Sequence, residues 1–125
     1  MIYDASSIFV AIKNLKLDVL RGTTCELAKF ELGNAVWKEI NIHKSVNIDE
    51  GLKILDVLMK ALETMNVKNP NWNEVLKLAV KHDLTFYDAS YVQLAIENSG
   101  VLVTEDKKLR EKVKGVVDVR SVFDL

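Results

Sequence analysis

An α/β fold, a three-layer α/β/α sandwich around a central, mainly parallel sheet of about four or five short strands, is what the order of this chain predicts. Three observations carry that prediction. Short apolar or β-branched runs occur at residues 1–3, 101–104 and 116–119. Stretches of helical apolar period lie between them, and polar helix-start spacings recur at Thr23/Glu26, Asn47/Glu50, Asn71/Glu74 and Thr85/Asp88. Strands separated by helices pair in parallel through crossovers and leave helices on both faces of the sheet.

The opening run, Met1, Ile2 and Tyr3, is read as a strand ending at Asp4, after which Ser6 or Ser7 caps a helix through Ile8, Phe9 and Ile12. Thr23 and Glu26 open a second helix over about residues 24–41, with Leu27, Phe30, Val36, Trp37 and Ile40 as its apolar stripe. Asn47 and Glu50 open a third, which carries Leu52, Leu55, Leu58 and Met59 and ends near Leu62. Residues 64–68, ahead of Asn69-Pro70, are a strand candidate. Two further helices follow Asn71 and Thr85, and the second ends at Gly100. Residues 101–104 are too short and too β-branched for anything but a strand, a short basic helix covers 107–114, and 116–119 is a last strand candidate.

The chain has 125 residues, 49% of them apolar, and 17 Lys+Arg against 18 Asp+Glu, so it is read as one domain over residues 1–125 with no global field for nucleic acid. The longest stretches free of Asp, Glu, Lys and Arg, residues 5–12 and 89–96, are too short to cross a bilayer. Asp4, rather than a basic cluster, precedes the first apolar stretch, so a cytoplasmic protein without a secretory signal is expected. Cys25 is the single cysteine, which excludes an internal disulfide framework and every multi-cysteine zinc pattern. His43 and His82 lack metal-protease spacing, and no phosphate-binding or dinucleotide glycine motif occurs. Trp37 and Trp72 fall in apolar helical registers and are read as core or dimer contacts rather than base-stacking platforms.

Four carboxylates stand apart from the rest. Asp4 and Asp106 each follow an apolar strand, where the reactive groups of parallel sheets collect. Asp88 opens a helix with no Lys or Arg from Phe86 to Ile96, and Glu31 has no cation at its i±3 or i±4 positions. Each also has an ordinary explanation: a helix cap for Asp4 and Asp106, completion of the Thr85 box for Asp88, and simple solvation for Glu31. If the four converge, mutual repulsion raises their pKa values unless a divalent cation neutralises them, and oxygen-only ligands favour Mg2+ or Mn2+.

Together the segments MIYDASSIF, ELAKFELGNAVWKE, LTFYDASYVQLA and VLVTEDKKL resemble, in order and spacing, the PIN-domain family of metal-dependent ribonucleases, in particular its VapC-like toxin branch. The resemblance covers nearly the whole chain. It implies that Asp4, Glu31, Asp88 and Asp106 are the catalytic, metal-binding acids, with Ser6, Asn34 and Thr104 supporting them. It further implies an RNA substrate, Mg2+ or Mn2+ as cofactor, a homodimer and, for toxin members, a cognate antitoxin protein. Lys107, Lys108 and Arg110, at the head of a basic run after Asp106, are candidates for holding the RNA backbone, or are solvated charges on a short helix. Two rivals share the acid placement: an aspartate-based phosphoryl-transfer enzyme, which a second Asp in place of Ser6 would favour, and a non-catalytic RNA- or protein-binding module of the same fold.

Overall fold

The computed structural model describes residues 1–98 and 100–125. Its elements run β1 (Ile2–Tyr3), α1 (Ala5–Lys13), β2 (Thr23–Thr24), α2 (Leu27–Asn41), α3 (Ile48–Thr64), β3 (Asn66–Val67), α4 (Trp72–His82), α5 (Phe86–Glu97), β4 (Val101–Val103), α6 (Lys107–Lys112) and β5 (Asp118–Arg120). Short 3-10 turns add Leu17–Arg21 and Val122–Asp124. The five strands form one sheet in the order β3-β2-β1-β4-β5, every neighbouring pair parallel, as the sequence predicts. The chain leaves β1 toward β2 and β3 and returns to the other side of β1 as β4. The strand order therefore reverses between β1 and β4, and the crevice beyond their carboxyl ends is where such sheets bind ligands.

Alternation along two-residue strands is enough to build two cores. Ile2 and Leu102 face α5 and α6 together with Tyr91, Leu94, Ala95 and Leu109. Tyr3 and Val103 face the opposite side, against Ile8 of α1, Leu32 and Val36 of α2 and Leu58 of α3. The helices thus make the outer two layers. Close approach on the second side is secured at Gly22, where a Cβ would run into the Tyr3 ring.

Several local expectations are corrected. The cap of α1 is Asp4, whose Oδ1 accepts from the Ser7 amide at 2.9 Å, rather than Ser6 or Ser7. Thr23 does not open a capping box: Thr23 and Thr24 are a strand between β1 and β3, and α2 starts at Leu27 with no side-chain cap. Of the four helix-start spacings only Asn47/Glu50 closes in both directions. At Asn71 the amide is taken instead by Glu97, with Oε2 at 3.0 Å. The last strand lies two residues later than its apolar run, at Asp118–Arg120, because Val116 and Val117 complete the α6 core while pairing with β4 begins at Val101↔Asp118. The α2 stripe is also different: Ala28, Leu32 and Val36 are buried, whereas Phe30 and Trp37 are exposed. Trp72 is half exposed and stacks on Phe86, with ring centroids 6.1 Å apart.

Candidate active site

Asp4 is held at the end of β1 by the sheet itself, since its amide donates to Val103 O at 3.2 Å. Asp4 is 5% exposed, and its carboxylate accepts three hydrogen bonds: Ser6 Oγ at 2.7 Å and the Ser7 amide reach Oδ1, and the Thr104 hydroxyl donates to Oδ2. Thr104, just past β4, in turn accepts the Asp106 amide at 3.1 Å, and Ser6 Oγ accepts the Glu105 amide at 3.0 Å. Two hydroxyls therefore lock the end of β1 to the loop after β4. Burial still wins over these bonds and raises the Asp4 pKa above its ordinary value.

The other three acids come from separate elements. Glu31 projects from the second turn of α2, Asp88 from the first turn of α5, and Asp106 caps α6 through Oδ1, which accepts the Lys108 and Leu109 amides at 2.9 and 3.2 Å. All four acids line a single cavity of about 760 Å³, as do Ser6 and Asn34. Thr104 lies beneath its floor, fully buried. The carboxylates sense one another. Burial raises Glu31 first, a hydrogen bond from the Tyr91 hydroxyl opposes it, the charges of Asp4 and Asp88 add to the rise, and Lys38 opposes; burial raises Asp88 first, followed by the charge of Asp106, with Thr85 and Lys112 opposing.

The neighbouring Glu105 is not part of the set. Its carboxylate turns the other way and accepts from Ser121 Oγ at 2.8 Å and the Val122 amide at 2.8 Å, tying down the carboxyl terminus. Lys107 and Lys108 stand exposed in the first turn of α6. Arg110 is turned inward, with Nη2 at 3.4 Å from Thr104 O and a buried Nε that has no partner among the described residues. The basic side chain that lines the cavity is instead Lys38, from the last turn of α2, with the His43 imidazole from the residues after it. Lys38 sits seven residues beyond Glu31, almost two full turns of the helix, so helical spacing places both on nearly the same face.

A divalent ion fits these groups by two tests. The donors are all oxygen, the class that hard cations take. The acids repel one another where they stand, which a cation relieves. The Tyr91 hydroxyl, on the cavity wall and part of a residue only 1% exposed, is turned to the Glu31 carboxylate. Burial and then the Glu31 charge push its phenol far above the ordinary value, so it stays protonated and can donate. The acids ring the cavity rather than touch. Among the described residues no three His, Cys, Asp or Glu side chains stand close enough together to hold an ion by themselves.

The raised acids predict a pH signature. A carboxyl whose folded pKa lies above its ordinary value stabilises the fold below that ordinary value, 3.8 for Asp and 4.5 for Glu, and the contribution is lost as pH rises through the raised value. Wild-type protein without divalent ions should therefore lose stability relative to Asp4→Asn as pH climbs from that range to neutrality. At pH 7, Mg2+ or Mn2+ should restore it, by about 2.7 kcal/mol at a hundred times the dissociation constant. Thermal melts of both proteins across pH, with and without the ion, measure this; parallel curves insensitive to metal would contradict it.

Among the described residues no helix is long and apolar enough to cross a membrane. The sequence profile of the PIN domain matches residues 3–115. Exonuclease VapC9 of Pyrobaculum aerophilum is 38% identical over 97 residues, 78% of this chain and 71% of that protein. Ribonuclease VapC3 of the same organism is 37% identical over 98 residues, 75% of this chain and 72% of that protein. The crystal structure of PAE2754 from Pyrobaculum aerophilum superposes with a TM-score of 0.80 at 32% identity, covering 98% of this chain and 90% of that one. VapBC-1 from nontypeable Haemophilus influenzae, at TM-score 0.57 and 18% identity over 98% of this chain and 99% of that one, shares the fold. With the profile spanning most of the sequence, and relatives above a third identical over three quarters of it, the chain belongs to the VapC family of PIN-domain nucleases.

Proposed function

We propose that this protein is a metal-dependent endoribonuclease that hydrolyses RNA phosphodiester bonds, acting in the cytoplasm as the homodimeric toxin of a type II toxin–antitoxin pair. The observation that supports the chemistry is the convergence of Asp4, Glu31, Asp88 and Asp106, from four different elements, on one cavity at the β1/β4 reversal of the sheet. The VapC relatives support the biological role, and a cognate antitoxin is the partner expected to cover the site.

In this reading the four acids would hold Mg2+ or Mn2+, directly or through bound water, and the ion would supply Lewis-acid charge stabilisation for phosphodiester hydrolysis. The chain's own task is geometry. Ser6 and Thr104 fix the rotamer of Asp4, Thr104 ties the Asp106 loop to it, and Asn34 and the Tyr91 hydroxyl offer hydrogen bonds to water or substrate oxygens. Lys38 from inside the cavity, with Lys107 and Lys108 beside Asp106, attracts the phosphate backbone, while Arg110 steadies Thr104 through its carbonyl.

The test uses end-labelled linear RNA and a circular RNA of the same sequence, titrated with Mg2+ or Mn2+. Cutting of the circle is expected, and Asp88→Asn should slow it by on the order of 10³-fold, a loss of the size seen when one preorganised electrostatic group is removed. A linear RNA trimmed from its end beside an intact circle would overturn the endonucleolytic mode, and metal-independent cutting the whole proposal.

A further inference from the structure

Two aromatic rings stand exposed on the walls of the acid cavity. Phe30 is 74% exposed and Tyr87 59%, and both line the cavity. Each immediately precedes an acid on its helix: Phe30 comes before Glu31 on α2, and Tyr87 before Asp88 on α5. Among the described residues neither packs on another ring; the stacked pair is Trp72 with Phe86, and the ring beneath a cation is Phe123. A phenylalanine left this open gives the fold nothing, because its apolar surface stays in water. Lys38 lies eight residues beyond Phe30 on the same helix and lines the same cavity.

We infer that Phe30 and Tyr87 form a base-stacking clamp that holds unpaired nucleobases on either side of the phosphodiester presented to the acids, with Lys38 steadying a flanking phosphate. The inference rests on the nuclease reading of the cavity and adds to it which residues select the substrate. The π-face of every base stacks on an aromatic side chain whatever its identity, so the clamp is sequence-tolerant. In a duplex those faces are covered by neighbouring base pairs, so the clamp rejects double strands and takes loops, ends and single strands. The cavity, at about 760 Å³, has room for bases between its walls. Asn34, on the α2 wall one turn from Phe30, can hydrogen-bond a base edge or sugar hydroxyl.

The experiment measures equilibrium binding of a single-stranded RNA carrying 2-aminopurine to Asp4→Asn protein, in Mg2+, with Phe30→Leu or Tyr87→Leu added. Leucine keeps apolar bulk and removes the π-face, and both positions are exposed, so the fold is preserved. The parent should quench 2-aminopurine on binding, and each leucine variant should lose most of that quench and bind about 10-fold more weakly. In the active protein the same substitutions should raise KM about 10-fold with kcat nearly unchanged, and replacing the stacked base with an abasic nucleotide should weaken wild type but not the leucine variants. Unchanged quench and affinity, equal binding of double-stranded RNA, or weakening traced by light scattering to loss of a dimer would overturn the clamp. Asp4→Asn that cuts RNA as fast as wild type would instead overturn the nuclease reading, so the two failures are distinguishable.

Discussion

Asp4→Asn should abolish RNA cleavage, by on the order of 10³-fold or more, without lowering the melting temperature at pH 7. The two halves of this expectation come from one side chain in two environments. Toward the fold, Asp4 is a helix cap, and asparagine caps equally well: its Oδ1 still accepts from the Ser7 amide. The Thr104 hydroxyl, which donates to Oδ2 in the wild type, can rotate its hydrogen toward Ser6 Oγ at 3.3 Å and accept from the asparagine amide instead. Burial raises the Asp4 pKa, so its charge opposes folding at neutral pH and its removal costs nothing there. Toward the cavity, the same removal takes away the most deeply buried of the four negative charges that a cation would need. Initial rates on labelled RNA beside thermal melts of the same preparation check both halves. A variant that melted early and lost activity in proportion would show Asp4 to be a cap and nothing more.

The ordinary explanations for the acids were thus partly correct, and this limits what sequence can reveal. Asp4 and Asp106 do cap α1 and α6, yet both also line the cavity, because the residue after a strand is at once the start of the next helix and the edge of the crevice. Sequence spacing displays the first role and hides the second, which depends on β1 and β4 being neighbours across a hundred residues. The capping signatures were legible where a polar side chain acts on its own turn, as at Asn47 and Thr85. They misled at Thr23, since threonine serves strands and caps alike and a two-residue strand has no period to read. The last strand was misplaced for a related reason: Val116 and Val117 mark burial, whereas pairing is decided by register with β4. Phe30 fits the apolar period of its helix, and only the structure shows that it lines the cavity, exposed, rather than packing with Leu58 and its neighbours.

Leu102→Ala should do the reverse of Asp4→Asn, costing about 2–5 kcal/mol of stability while leaving the chemistry in place. Leu102 is fully buried in β4, paired with Ile2 on one side and Val119 on the other, and packs in the cluster that contains Tyr91, Leu94 and Ala95 of α5. Truncating it removes apolar contact and leaves a void that sheet and helix cannot both collapse into, since both edges of β4 are hydrogen-bonded. Against a total of roughly 5–15 kcal/mol for a domain, that is a large fraction, and the melting temperature should fall by roughly 10 °C or more. The void would lie beneath two walls of the site at once, because β4 delivers Thr104 and Asp106 and α5 delivers Asp88 and Tyr91. Some misplacement of these groups is therefore expected, up to about 10²-fold in rate if they move by an ångström, but less than the loss of a carboxylate. Urea melts and cleavage rates taken well below the new midpoint separate the effects. If Leu102→Ala stayed stable yet became as inactive as Asp4→Asn, the acids would be positioned by something other than the packing of β4 against α5.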